Sequence, residues 1–359
     1  MNETIEAMKN QWKSMASMGG MFIITIFLGI TIQPIYNKDI HRGFGEEGTT
    51  QAGFILLELM LIGIFTFAII WLARKGLDYL IKGFIMFTLF WSLTYMVWPY
   101  TALILQLTVG SQAYSMEIAL LINAVLMITL WKFPEWYVVN LVGILVGSSV
   151  IVMLGITFVP TLIIIFMILA AIYDHWAVNG SKHMLELADT MIDLKLPILL
   201  VAPKDKNYSY INEGGDIMKK PVTEKTVQIP SEEDWNNPKI DLEAAPKGGR
   251  DALMMGLGDV IFPGMLVISA ISFLPQTGII IGSLPLSAFF GWIHLDPLLV
   301  GLGTLLGGFM GYLGLMTQVA KGKPQAGLPL LNGGAILGYL ISIIIVFGPA
   351  ELIQEISLF

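Results

Sequence analysis

Long apolar runs separated by short polar breaks dominate the chain. A helix needs about 20 mostly apolar residues to cross the hydrocarbon core of a bilayer. On that rule nine spans are predicted, at 20–36, 53–73, 83–108, 116–131, 137–154, 156–177, 252–274, 297–316 and 328–347. The fourth and fifth are short, and the break between the fifth and sixth is inferred. The first span is too long for the apolar core of a signal peptide, and no small-x-small cleavage site follows it, so it is kept as a membrane helix. A further apolar stretch, 278–293, is short and interrupted by Ser283-Leu284-Pro285. It reads as an outer-surface or re-entrant segment.

Composition removes the soluble alternative. Apolar residues make up 55% of the 359 positions and charged residues 13%, against about 25% charged in a soluble domain. The absence of cysteine excludes a disulfide scaffold, thiolate metal sites and a cysteine nucleophile. Four scattered histidines argue against a catalytic metal, and no cofactor is expected. A net charge of −7 gives no support to a nucleic-acid partner. The chain reads as an all-α polytopic membrane protein whose first partner is the lipid bilayer.

Orientation follows from the basic residues. If all nine segments cross, eighteen of the twenty Lys and Arg fall on the side of the N-terminus, and only Lys38 and Arg42 oppose them. The positive-inside rule then puts the N-terminus in the cytoplasm and the C-terminus outside, in the cell membrane. A tenth span at 278–293 would carry Lys321 and Lys323 outward, so the rule supports nine. Three parts result: a six-helix part at 1–177, a cytoplasmic loop at 178–251, and a three-helix part at 252–359. In the loop, 182–193 sets Met184, Leu185, Ala188, Met191 and Ile192 on one helical face, as a surface-lying amphipathic helix would. Two short strands are predicted at 196–202 and 226–229, and the Pro- and Gly-rich remainder reads as linker.

An ionisable side chain costs about 2.5–3.5 kcal/mol at the centre of a membrane helix on insertion scales, so each needs a reason. Three stand inside the spans: Glu58, Asp174 and Asp259. Glu117 and Asp296 stand at span edges. Glu58 reads as a partner for a neighbouring helix or an interfacial side chain. Asp174 and Asp259 match in depth, each about 5–10 Å below the cytoplasmic surface at 1.5 Å per residue. The loop joins their spans, so the helices can be neighbours.

Two facing carboxyls in a poorly solvated site share one proton. The ionised member can take a proton from a water between them while the protonated one donates to a peptide carbonyl oxygen. That is aspartic-protease chemistry, and it needs no metal, thiol or histidine. Taken singly, either aspartate is equally well read as hydrogen-bonded to a hydroxyl or to backbone of another helix. The run Gly256-Leu257-Gly258-Asp259 with Pro263 after it favours a site. The glycines allow close approach, and Pro263 leaves the carbonyl of Asp259 without its helical donor. Irregular backbone at membrane depth is tolerated where it lines protein or a water-filled cavity.

Tyr173-Asp174 closing one span, Gly256-Leu257-Gly258-Asp259 in the next, and a proline motif opening the last resemble the presenilin and signal peptide peptidase family. The likeness is strongest from the sixth span to the ninth, and Ala177-Val178 and Met184-Leu185-Glu186 add to it. The resemblance implies a nine-span, presenilin-like fold with Asp174 and Asp259 as the catalytic pair. Tyr173, Gly256, Leu257 and Gly258 support the motifs. Pro329, Leu330 and Leu331 would shape the site and receive a transmembrane-helix substrate. Here the family's Pro-Ala-Leu reads Pro329-Leu330-Leu331, with leucine adding bulk at the middle position.

Gly303, Gly307 and Gly311 form a small-residue ridge on the eighth span, suited to close helix packing and to a homo-oligomer contact. Trp91, Trp98 and Tyr100 read as interfacial anchors or core. Two other functions remain open to the same residues. One is a prepilin- or preflagellin-type aspartic peptidase, which also uses Gly-x-Gly-Asp. The other is a proton- or ion-coupled transporter or channel with Asp174, Asp259 and Glu58 as relays.

Overall fold

The computed structural model describes residues 2–39, 50–176, 197–204, 208–211, 252–281, 293–319, 327–352 and 354. Among these, nine α-helices follow the nine apolar segments. They are α1 (Asn2–Asp39), α2 (Ala52–Arg74), α3 (Asp78–Thr108), α4 (Ser115–Lys132), α5 (Trp136–Gly155), α6 (Pro160–Trp176), α7 (Leu257–Phe273), α8 (Leu295–Val319) and α9 (Leu328–Val346). Two strands, β1 (Leu199–Pro203) and β2 (Ala252–Gly256), pair antiparallel between α6 and α7. A second small pair, β3 (Ile280–Ile281) with β4 (Ile293–His294), precedes α8.

Six helices are long and apolar enough to cross a membrane on length and composition alone, and α6 and α7 are among the shorter ones. Each has 17 residues, a length of about 25 Å against a hydrocarbon core of about 30 Å. Both carry one of the two aspartates singled out above.

Helix α7 is central. It packs on α1, α5, α6, α8 and α9, and its residues from Pro263 to Ser272 are all buried. One apolar cluster joins α1, α5, α7 and α8 with the β1–β2 pair. A second joins α2 to α5 with Val201 and Tyr210, and a third joins α6, α7 and α9. Polar side chains add links between helices, as they do where no water competes. Gln33 Nε2 donates to Ser272 Oγ at 2.8 Å, Ser148 Oγ to the Thr25 carbonyl at 2.8 Å, and Asn123 Nδ2 to Thr94 Oγ1 at 3.0 Å.

Several boundaries differ from the sequence reading. Residues 156–159 form a turn, and α6 starts at Pro160, whose fixed φ and missing N–H suit a first helical turn. The seventh segment begins as strand over 252–256, because its backbone pairs with β1 from Leu199↔Gly256 to Pro203↔Ala252. Asp259 therefore stands in the first turn of its helix, and the depth estimate that assumed helix from 252 is replaced by that placement. The strand predicted at 196–202 is observed as β1. The strand at 226–229 and the amphipathic helix at 182–193 lie outside the described residues. Within 278–293, Ile281 and Ile293 are cross-strand partners, which places the two flanks of the stretch side by side, and 282–292 lie outside the described residues.

The glycine ridge of α8 faces α9. A Cβ atom at Gly307 would run into the Gly334 carbonyl, and one at Gly303 into Ser342. That ridge is therefore used within the chain and is not left for a second copy. Trp98 Nε1 donates to Ser115 Oγ at 3.2 Å and the Tyr100 hydroxyl pairs with Thr31 Oγ1 at 2.6 Å, so both belong to the interior, while Trp91 is exposed.

Candidate active site

Asp174 lies in the last turn of α6, Asp259 in the first turn of α7, and Leu328 opens α9. These three helix ends meet. The carboxyl of Asp174 faces the backbone N–H of Leu328. The carboxyl of Asp259 lies against Gly327, where a Cβ atom would stand 2.7 Å from Oδ2 and 3.0 Å from Cγ. The pair thus straddles two consecutive residues of one junction, and the two acids interact electrostatically across it. Asp174 is 8% exposed, and Asp259 is partly exposed.

Local sequence explains how each carboxyl is aimed. Gly256 is the residue before α7, with extended backbone at φ −61° and ψ 137°. Asp259, third in the helix, turns back to accept from the Gly256 N–H. This is half of a capping box, which fixes a carboxyl by one oxygen and leaves lone pairs for another partner. At Gly258 an added Cβ would meet only Phe262, at 4.0 Å, so this face of the turn is open. Leu257 is buried. The first turns of α7 and α9 both point unpaired N–H groups and the positive ends of their dipoles at the two acids.

The proline motif is adjacent. Pro329 follows the Leu328 amide, Leu330 is half-buried, and Leu331 is fully buried in the first apolar cluster. An added Cβ at Gly311 would meet the Leu330 carbonyl oxygen and stand 3.0 Å from Leu331 Cα, so the absence of a side chain there lets the motif lie against α8. Tyr173 is exposed, its ring tilted against Trp176 with centroids 6.1 Å apart.

The other acids stand apart. Asp296 accepts from Thr277 Oγ1 at 2.8 Å at the opposite end of the bundle. Glu117 is in the first turn of α4, and Glu58 is on α2 with its side chain outside the described residues. Among the described residues no three His, Cys, Asp or Glu side chains are grouped as metal ligands. Sequence reasoning missed Gly327 and Leu328, which look like ordinary loop and helix residues. It also missed Asn332, whose buried Nδ2 donates to the Met167 carbonyl at 3.0 Å and ties α9 to α6. An amide in an otherwise apolar run was the available signal.

Over residues 19–348 the sequence matches the family described as signal-peptide peptidase, presenilin aspartyl protease. No curated protein matches it. Two solved structures are similar to it, each of a presenilin family intramembrane aspartate protease. The one in space group C222 is 23% identical with a TM-score of 0.57, and the match covers 92% of this chain and 99% of that one. The one in space group P2 is 24% identical with a TM-score of 0.56, covering 92% and 97%. Neither the prepilin-type nor the transporter reading is favoured by these matches. A family match from the first span to the last, together with the shared fold, means that the chain belongs to the signal-peptide peptidase and presenilin aspartyl protease family and is an intramembrane aspartic endopeptidase.

Proposed function

We propose that Asp174 and Asp259 are the acids with which this membrane protease hydrolyses peptide bonds in transmembrane segments of its substrates. The observation that carries the reading is their meeting at the Gly327–Leu328 junction. One carboxyl is ionised and the other protonated. The ionised member takes a proton from a water between them as the water oxygen bonds to the carbonyl carbon. The protonated member gives its proton to the carbonyl oxygen. In the resulting gem-diol the newly protonated acid returns a proton to the amide nitrogen, the other acid accepts one from a hydroxyl, and the C–N bond breaks. The pair again holds one proton.

A transmembrane substrate must first unwind, because helical carbonyls are occupied by their own hydrogen bonds. The β1–β2 pair supplies a template for the extended segment, added as a further strand. Pro329 and the half-buried Leu330 line the approach, and Leu331, expected from the sequence to join them, is buried beneath and anchors the motif in the core. The site lies at the cytoplasmic end of the bundle, with the N-terminus and the 178–251 loop on that side and the C-terminus outside. Lys75 over Trp71 at 4.2 Å and Lys82 over Trp131 at 4.5 Å support this orientation. They form a basic and aromatic belt at the end where α6 finishes and α7 and α9 begin.

The test is cleavage of a transmembrane peptide by the purified full chain and by Asp174→Asn and Asp259→Asn. Each substitution abolishes cleavage while leaving thermal stability within a few degrees of wild type. kcat/KM of the wild type falls at both pH extremes, since only the singly protonated pair is active. Cleavage retained by either folded variant would remove that acid from the mechanism.

A further inference from the structure

We propose that Asn140 is a positioning residue for the reaction: its side-chain amide stands in for a third strand on β1 and sets where the β1–β2 pair, and with it the start of α7, sits along α5. The proposal rests on Asp259 being one of the catalytic acids.

Asn140 is buried near the start of α5. Its Nδ2 donates to the Val201 carbonyl at 2.7 Å, and its Oδ1 accepts from the Val201 N–H at 2.8 Å. Both backbone groups of one residue are satisfied by one side chain, as a residue on a neighbouring antiparallel strand would satisfy them. Two residues on, facing the same way, the Pro203 carbonyl accepts from Ser14 Oγ of α1 at 2.7 Å. Side chains of two spans thus close the edge of β1 that faces away from β2.

The other edge of β1 carries the connection to the acid. Leu200 and Ala202 are partners of Met255 and Leu253, and the Leu257 N–H donates to the Ile198 carbonyl at 2.8 Å. Asp259 follows Leu257 by two residues. A displacement of β1 along α5 therefore moves the first turn of α7.

Beyond Asn140 the same face of α5 carries glycines. Gly143 and Gly147, three and seven residues after Asn140, lie on its face. A Cβ at Gly143 would stand 3.4 Å from Leu200 Cδ2, and one at Gly147 would stand 3.0 Å from Leu257 Cδ1. These glycines form a groove for apolar side chains, and apolar contact in such a groove does not select one height. The two directional bonds from Asn140 do. Peptide groups without water pair wherever they can, so β1 freed from Asn140 would settle in a different register.

The experiment uses the full chain with Asn140→Leu, which has the same heavy-atom branching and cannot hydrogen-bond. Wild type, the variant and Asp259→Asn are compared for kcat, KM, the masses of the cleavage products of one transmembrane peptide, and amide hydrogen exchange. The expected result is a folded Asn140→Leu protein with exchange at least tenfold faster in 198–203 and 252–257. Its kcat is reduced at least tenfold at similar KM, and cleavage spreads to neighbouring bonds. A loss of stability alone would not change the bond that is cut. Wild-type kcat and a wild-type product set from the folded variant would overturn the proposal. Should Asn140→Leu not fold, Asn140→Ser, too short to reach both groups of Val201, supplies the same comparison with the same two outcomes. Full activity in Asp259→Asn would instead sink the assignment of the acid, leaving the exchange and cleavage-site results to decide on Asn140.

Discussion

The carboxyl of Asp259 fills the space that a side chain at Gly327 would take, with all three of its terminal atoms within 3.0 Å of an added Cβ. The last helix can begin at this point only because residue 327 has no side chain. Gly327→Ala must push the Asp259 carboxyl away from Asp174 or lift the start of α9. A displacement on the order of 1 Å at a reacting group costs about 100-fold in rate. Cleavage by Gly327→Ala is therefore expected to drop by about that factor, with the melting temperature nearly unchanged because the junction lies outside the packed core. Initial rates and thermal denaturation of the same preparation check both halves.

Gly311 controls the neighbouring motif in a different way. Here an added Cβ meets the Leu330 carbonyl and the Leu331 Cα, which are backbone and cannot rotate aside. Gly311→Ala should shift α9 along its contact with α8 and destabilise the protein by about 1–3 kcal/mol, the usual cost of overpacking. Because α9 carries the Leu328 amide to Asp174, activity falls too. Gly314→Ala is the control, since nothing lies within 4 Å of its added Cβ. Equal stability of the two variants would contradict the packing argument.

Much of this was legible in the sequence. Apolar run length located nine helices, the scarcity of charge inside them singled out Glu58, Asp174 and Asp259, and matched depth paired the two aspartates. What the sequence hid is the strand pair and the junction. Ala252-Leu253-Met254-Met255 has no β-branched residue and no alternation, so nothing local distinguishes it from the helix that follows. The ladder to β1, on the far side of the long loop in sequence, decides its conformation. Gly327 and the Leu328 amide were invisible for a related reason. Their importance lies in backbone position, which residue type reports only weakly. Asn140 is an amide in an apolar span, a signal the sequence reading did not use, and its partner is a backbone group of a distant strand that no local pattern reveals.

The chain contains no cysteine, so its orientation can be read with single introduced thiols. Lys75→Cys lies at the end of the bundle that carries the acids, on helices remote from them, and Ile280→Cys lies on the exposed strand β3 at the other end. With the N-terminus inside, a membrane-impermeant maleimide labels Ile280→Cys on intact cells and labels Lys75→Cys only after permeabilisation. The reverse pattern would invert the topology and place the acids toward the outer surface. Both positions are away from the proposed catalytic groups, so retained peptide cleavage verifies that the labelled protein is folded.

Gln354 holds the far end of the helix that carries Asp174. Its Oε1 accepts from the Thr161 N–H at 3.1 Å and from Thr161 Oγ1 at 2.7 Å, and its own N–H donates to Thr161 Oγ1 at 3.0 Å. Its Nε2 donates to the Glu351 carbonyl at 2.9 Å. Thr161 is in the first turn of α6, where backbone N–H groups have no helical partner, and Pro160 before it can donate nothing. Gln354→Ala leaves those groups unpaired and is expected to cost about 1–3 kcal/mol, seen as a lower melting temperature. Asp174 lies thirteen residues further along α6, at its opposite end, and is held independently by Leu328. Turnover below the new melting temperature should therefore stay within about twofold of wild type. A tenfold loss of kcat without loss of stability would mean instead that α6 transmits a shift at Thr161 along its whole length to the acid.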